Sequence, residues 1–329
     1  MSDFPRPDRF LTYLSEARIR SLRNCIPGNS PPFVVKREKD QYIYDIDGNK
    51  YADFALRNGA VICGHNFKTL TQYIKNAISI GTSSGVINKF QYPLVKLFKT
   101  IIDFDFLSFY GNSSSAVISL VRTLRASRVA VSSSYLLELV MKSLPGITVE
   151  KAREIKEYDL LLFEPIDFDN NLGEYNYRAY RAKWKCAVEN RTAFRIKNGF
   201  STNLDDVQVI LCGAVIANGM DSAAVISKIN VEGENIPAYK SISILETIKY
   251  YLRENDLFKR KLKIESAGVS FQKGCIFKME HLYKTIELLK KGIWLEGDTG
   301  FFCLAHTDND IKRLERALNE KNMLSSANP

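Results

Sequence analysis

Short apolar runs alternate with stretches of helical spacing through the middle of the chain. The runs DFLSFY (105–110), RVAVSS (128–133), YDLLLFEP (158–165) and VQVILC (207–212) have the length and uniform hydrophobicity of strands buried on both faces of a mainly parallel sheet. Residues 114–127, 135–143 and 175–186, lying between them, are expected as helices, and a further strand ends at Lys228. This alternation predicts an α/β fold with three layers. Beyond Lys228 the pattern changes. A long helix is expected over 237–256, then the strand CIFKME (275–280), a helix over 281–291, the strand FFCLAH (301–306) and a last helix over 308–321. Thr307 or Asp308 suits the N-cap of that last helix and Asp310 its first turn. Near the start, Phe10, Leu11, Leu14, Ala17 and Ile19 give 8–23 helical spacing, and a loop with Pro27, Gly28, Pro31 and Pro32 follows. Asp47-Gly48-Asn49 between QYIYDI and KYADF predicts a β-hairpin. The resulting division is an N-terminal arm (1–40), a large domain (41–235) and a small α+β domain (236–329).

Composition narrows this little. The 329 residues are 45% hydrophobic and 25% charged, as in ordinary globular proteins, and are enough for a large unit with a smaller companion. No apolar run approaches the roughly 20 residues of a membrane helix, and MSDFPRPDRF lacks the plan of a secretory signal, so a cytoplasmic protein is expected. The six cysteines are scattered without a C-x-x-C pair, which points to reduced, buried thiols and to no metal site. The net charge of +9 is spread over the chain and accompanies no nucleic-acid motif, so nucleic acid is not an expected partner.

The chemistry concentrates between Lys185 and Lys228. One stretch reads Ala187-Val188-Glu189-Asn190-Arg191-Thr192-Ala193-Phe194-Arg195, and a second Gly213-Ala214-Val215-Ile216-Ala217-Asn218-Gly219. With the hairpin, Gly64-His65-Asn66, and Ala305-His306-Thr307-Asp308-Asn309-Asp310-Ile311, these resemble the class III aminotransferases, the fold-type I group that includes glutamate-1-semialdehyde aminomutase. That family reads F-D-E-V-x-T-G-F-R at the first stretch, its Asp pairing with the pyridine nitrogen of pyridoxal phosphate (PLP). It reads P-D-x-x-x-x-G-K-x-I-A-N-G at the second, its Lys forming the Schiff base. In this register Val188 stands at the Asp position and Ala214 at the Lys position. The resemblance implies a fold-type I large domain with a small C-terminal domain. His65 and His306 read as structural residues, with no orienting partner expected to make His65 a base.

The resemblance also implies a phosphate loop at Phe109–Val117, where the family reads F-G-K-N-G-S-D-A. Asn112, Ser114 and Ala116 match, whereas Ser113 replaces the Gly and Ser115 the acid. Asn112, Ser113, Ser114 and Ser115 are therefore the candidate phosphate-binding residues, as backbone N–H groups at a helix N-terminus favour an anion. A solvated N-cap is the plainer reading of the same residues. The family's Y-H-G ring-stacking motif is absent, a serine run (Ser132–Ser134) taking its place. Missing too is the turn of pattern G-T-x-x-G-N-P, through which the family's dimer mate supplies a second phosphate contact. Without amine or ring-nitrogen acid, no catalytic residue is named, and neither Lys228 nor Lys197 matches the lost position. The expectation is a catalytically degenerate aminotransferase-like protein, dimeric with itself or with an active paralogue, in nucleotide-sugar or polysaccharide biosynthesis. Two alternatives stand beside it. One is an enzyme holding PLP or its aminated form, PMP, non-covalently, and the other is a cleft holding a different phosphorylated small molecule.

Overall fold

The computed structural model describes residues 35–81, 86–144, 146–153, 156–191, 206–253, 264, 266, 268–280 and 285–319. The expected helix 8–23, the loop 27–32, and Thr192, Phe194, Arg195 and Lys197 lie outside them. The described residues fall into two compact units, one drawn from 1–56, 64–67 and 261–329, the other from 57–63 and 68–260. The division does not follow the chain linearly: the N-terminal hairpin groups with the C-terminal segment, and the helix after residue 237 groups with the central one.

In the first unit, β1 (Val35–Lys39), β2 (Tyr42–Asp45) and β3 (Lys50–Asp53) form an antiparallel meander. Gly48 takes the positive φ of +88° that closes the β2–β3 turn, and the Asp45 carboxylate accepts from Asn49 N–H and Tyr51 OH at 2.8 and 2.9 Å.

The second unit is built on a sheet. It begins with two helices that the strand pattern does not anticipate, α1 (Lys68–Ile80) and α2 (Gln91–Ile101). Then come β4 (Phe106–Tyr110), α3 (Ser113–Leu124), β5 (Arg128–Val131), α4 (Ser134–Ser143), β6 (Thr148–Lys151), β7 (Glu157–Phe163), β8 (Arg181–Glu189), β9 (Val209–Cys212), β10 (Ala223–Ser227) and α5 (Ala238–Arg253). The seven strands are ordered β4-β10-β9-β8-β7-β5-β6. All run the same way except β10, which is antiparallel to both neighbours.

The expected helix over 175–186 is instead a turn at Tyr177–Ala179 followed by β8. Ala182, Trp184 and Cys186 alternate with Arg181, Lys183 and Lys185, a period of two that suits a strand. Trp184, Cys186 and Val188 pack with Ala116, Val117 and Leu120 of α3 and with Leu160, Leu162 and Leu211 of the neighbouring strands. A fully buried leucine such as Leu120 contributes roughly 1.5–3 kcal/mol through area removed from water.

The chain then returns to the first unit with β11 (Val269–Lys273), β12 (Ile276–Met279), α6 (Thr285–Lys290), β13 (Ile293–Trp294), β14 (Thr299–Phe301) and α7 (Asp308–Asn319). The expected strand 301–306 stops at Phe301. Cys303 and His306 close a turn there, with Cys303 N–H donating to His306 Nδ1 at 3.0 Å. At the start of α7 the Asp310 carboxylate accepts from Thr307 N–H at 2.9 Å and Thr307 Oγ1 at 2.6 Å, and also from Gln41 and Tyr42 at 2.7 Å each. His65 is not without a partner: its Nε2 lies 2.7 Å from Asp53 Oδ2 and its Nδ1 3.4 Å from Glu38. Burial disfavours the charged ring, yet the hydrogen bonds to Asp53 and Glu38 prevail and raise its pKa to about 9. With its backbone paired to Asp40 in both directions, His65 ties the hairpin to its loop. Among the described residues, the cysteines are free and buried, and no helix is long and apolar enough to cross a membrane.

Candidate functional site

The parallel strands deliver their C-terminal ends to one edge of the sheet, where open α/β sheets hold ligands. Gly111–Ser113 follow β4, Ser132–Tyr135 follow β5, Glu164 follows β7, Asn190 and Arg191 follow β8, and Gly213 and Ala214 follow β9. The sequence brings these groups together only through the sheet order, since β8 lies between β7 and β9.

At the phosphate-type loop, Asn112 is the N-cap of α3 and its Oδ1 accepts from Ser115 N–H at 2.8 Å. The preceding Gly111 N–H donates to the Glu234 carboxylate at 2.9 Å, and Lys240 Nζ donates to Gly111 O at 2.7 Å. A carboxylate of the chain itself thus takes one donor of the loop and opposes a second anion. Ser113 turns toward β8, its hydroxyl donating to Asn190 Oδ1 at 3.3 Å.

Asn190 sits over the turn that begins at Ala214. Its Oδ1 accepts from Ala214 N–H at 3.1 Å and its Nδ2 donates to the Tyr135 hydroxyl. A Cβ on Gly213 would fall inside van der Waals contact with Asn190 Oδ1 and 2.6 Å from Ser113 Oγ, so the glycine makes room for the carboxamide. Val188, at the acid position, is 1% exposed within the apolar core.

Beside Asn190 lies a buried ion pair. Arg191 Nε and Nη2 donate to the two oxygens of Glu164 at 2.7 and 2.5 Å, and Ser133 Oγ donates to Glu164 at 2.6 Å. The guanidinium is sandwiched, 4.5 Å from the Tyr135 ring centre and 4.0 Å from that of Phe168. Burial, and then the Glu164 carboxylate, push the Tyr135 phenol up to about 12, against the pull of Arg191, Asn190 and Arg57. Arg57 itself has a left-handed backbone and binds Gly219 O and Asp221. On the far side of the strands, burial and then the Glu189 charge hold the Cys212 thiol well above its usual range.

The motif register marks Asn190 and Arg191 only as places in a pattern, and Glu164 not at all. The signal available for Glu164 is an acid closing the apolar run Leu160–Phe163. Of the two lysines weighed as substitutes, Lys228 follows β10, whose end lies at the opposite edge of the sheet because that strand is antiparallel. Lys197 lies outside the described residues.

Among the described residues of this edge, Ala214 supplies no amine and Val188 no acid, Asn190 lies over Gly213, and Glu234 takes a loop N–H.

The fold is that of the fold-type I transaminases. β-Phenylalanine aminotransferase from Variovorax paradoxus superimposes with a TM-score of 0.70 at 15% identity, over 95% of this chain and 95% of that one. A glutamate-1-semialdehyde aminomutase from Pseudomonas aeruginosa, bearing one lysine-to-alanine substitution and in complex with PMP, gives 0.69 at 16% identity over 89% and 88%. Part of the chain is also similar in sequence to curated proteins. Glutamate-1-semialdehyde 2,1-aminomutase from Campylobacter hominis is 32% identical over 111 residues, 33% of this chain and 24% of that protein. Its counterpart from Thermodesulfovibrio yellowstonii is 34% identical over 99 residues, 30% and 23%. The aligned part spans about a quarter of the length of these relatives. No protein-family model matches the chain. The chain has the fold of the fold-type I transaminases, and about a third of it is similar in sequence to glutamate-1-semialdehyde aminomutases.

Proposed function

We propose that this protein is a catalytically degenerate member of its class, serving as a binding or partner subunit without lysine-imine chemistry. The observation that carries the reading is Ala214: the residue opening the turn after β9 presents a methyl group, and its N–H is held by Asn190. Pyridoxal chemistry needs an amine to hold the cofactor and move a proton, and an acid to keep the ring nitrogen protonated. A positioned general base alone is typically worth about 10²–10⁴-fold in rate. Losing amine and acid together removes ordinary transamination. The role that remains is association, as a homodimer or with an active paralogue, in nucleotide-sugar or surface-polysaccharide biosynthesis.

A second reading keeps PMP or PLP as a non-covalent ligand. It is favoured by the Pseudomonas aeruginosa structure, in which an enzyme of this fold with a lysine replaced by alanine is in complex with PMP. Here such a ligand must first displace Asn190 from above Gly213.

Absorbance of the purified protein and borohydride reduction with added PLP separate the readings. No aldimine band and no reduced pyridoxyl adduct are expected. An adduct mapped to any lysine, with Lys240 beside the α3 loop the first to inspect, refutes the degenerate reading. PMP that copurifies and is lost on dialysis selects the second.

A further inference from the structure

Between α2, β4 and the segment before α5 lies a cavity of about 520 Å³, within the range of small-molecule sites. Its walls are apolar, formed by Ile87, Tyr92, Val95, Leu107 and Phe109. Ile87 and Tyr92 are 78% and 77% exposed, an unusual display of apolar surface for neighbours on one rim.

Gln91, Ser108, Glu234 and Asn235 break this lining, and the first and third carry the argument. Gln91 is only 8% exposed, yet its carboxamide has no hydrogen-bond partner among the described residues. Its amide atoms reach the solvent of the cavity, where water or a ligand can bond them. Glu234 is the single charged residue of the lining. Its Oε2 is anchored by Gly111 N–H at 2.9 Å, and it forms no ion pair among the described residues. A carboxylate fixed by one oxygen offers the other as an acceptor to the cavity that it lines together with Gln91.

We propose that this cavity is a binding site for a small primary ammonium carried on a flat apolar body. The ammonium has three donors to divide between the Glu234 carboxylate and the Gln91 carbonyl, and no acceptor that would meet the Gln91 N–H groups badly. The body lies against Val95, Leu107 and Phe109, and the Tyr92 ring adds a cation–π attraction at the rim. A carboxylate is repelled by the one charge present. The site is separate from the turn at Ala214, so it stands whether or not the proposed loss of lysine chemistry does.

Ligand-observed NMR titration of the full chain tests this with three probes of one shape: 2-phenylethylamine, 2-phenylethanol and 3-phenylpropanoate. The amine is expected to saturate at millimolar concentration, with the alcohol and the acid about tenfold weaker or more, the size of one charge-assisted hydrogen bond. Glu234→Gln should erase the amine's advantage. Glu234→Lys should reverse it in favour of 3-phenylpropanoate, a gain that unfolding cannot mimic. Gln91→Leu should weaken the amine several-fold. Equal binding of amine and acid by the unaltered protein, no saturation by the amine, or a Glu234→Lys variant that keeps the original order overturns the proposal.

Discussion

Replacing Arg191 by Met tests whether the ion pair at the sheet edge holds these strands together. The substitution keeps most of the side-chain volume between Tyr135 and Phe168 but removes both donors from Glu164, which is 1% exposed. The carboxylate is left with the Ser133 hydroxyl as its side-chain donor. Stranding one member of a buried pair typically costs about 3–5 kcal/mol, because the remaining charge pays desolvation without compensation. Against a total of about 5–15 kcal/mol for a domain, that is a large fraction. The double variant Arg191→Met with Glu164→Leu removes the stranded charge as well, and should recover most of the loss. Urea unfolding followed by tryptophan fluorescence reads the sheet unit through Trp184 on β8 if Trp294 is first changed to Phe. With a urea slope of about 1–3 kcal/mol per M, the single variant should lower the midpoint by about 1 M or more. A loss below about 1 kcal/mol in the single variant, or a double variant no more stable than the single, would show that the pair is incidental to this edge.

Three further expectations concern neighbouring features. Gly213→Ala should cost about 1–3 kcal/mol, since the added methyl collides with the Asn190 carboxamide, and Asn190→Ala in the same chain should return part of it in thermal unfolding. The His65 pKa is raised from 6.5 to about 9, so its contribution is fully present below pH 6.5 and is lost as pH rises through about 9. Up to about 3 kcal/mol is at stake, and unfolding midpoints between about pH 6 and 10 should fall in the parent but stay flatter in His65→Gln. Asn112→Ala removes the cap on Ser115 N–H and should cost about 1 kcal/mol by chemical denaturation; an unchanged midpoint would deny the cap its role.

Where periodicity and turn chemistry are strong, local reading and structure agree. The hairpin around Gly48, the strands at 106–110, 128–131, 157–163 and 209–212, and the helices opening at Ser113 and Ser134 all stand close to their expected places. They are set by interactions within a few residues: an Asp-Gly turn, a serine or asparagine cap, an apolar run too short for a helix. The miss at 175–186 has the opposite cause. Its lysines and arginine suggest an exposed helix, while hydrogen bonding to β7 and β9 on either side makes it a central strand.

The same contrast holds for the site. By itself the sequence led to the expectation that Ala214 and Val188 stand where the family it resembles carries a lysine and an aspartate, because that expectation rests on residue identity and register alone. Only the tertiary structure decided what stands there instead. Asn190 and Gly213 are far apart along the chain, as are Arg191 and Glu164. No local pattern couples such pairs. They meet because a sheet lays distant strand ends side by side and because a buried polar group must find its partner across that space.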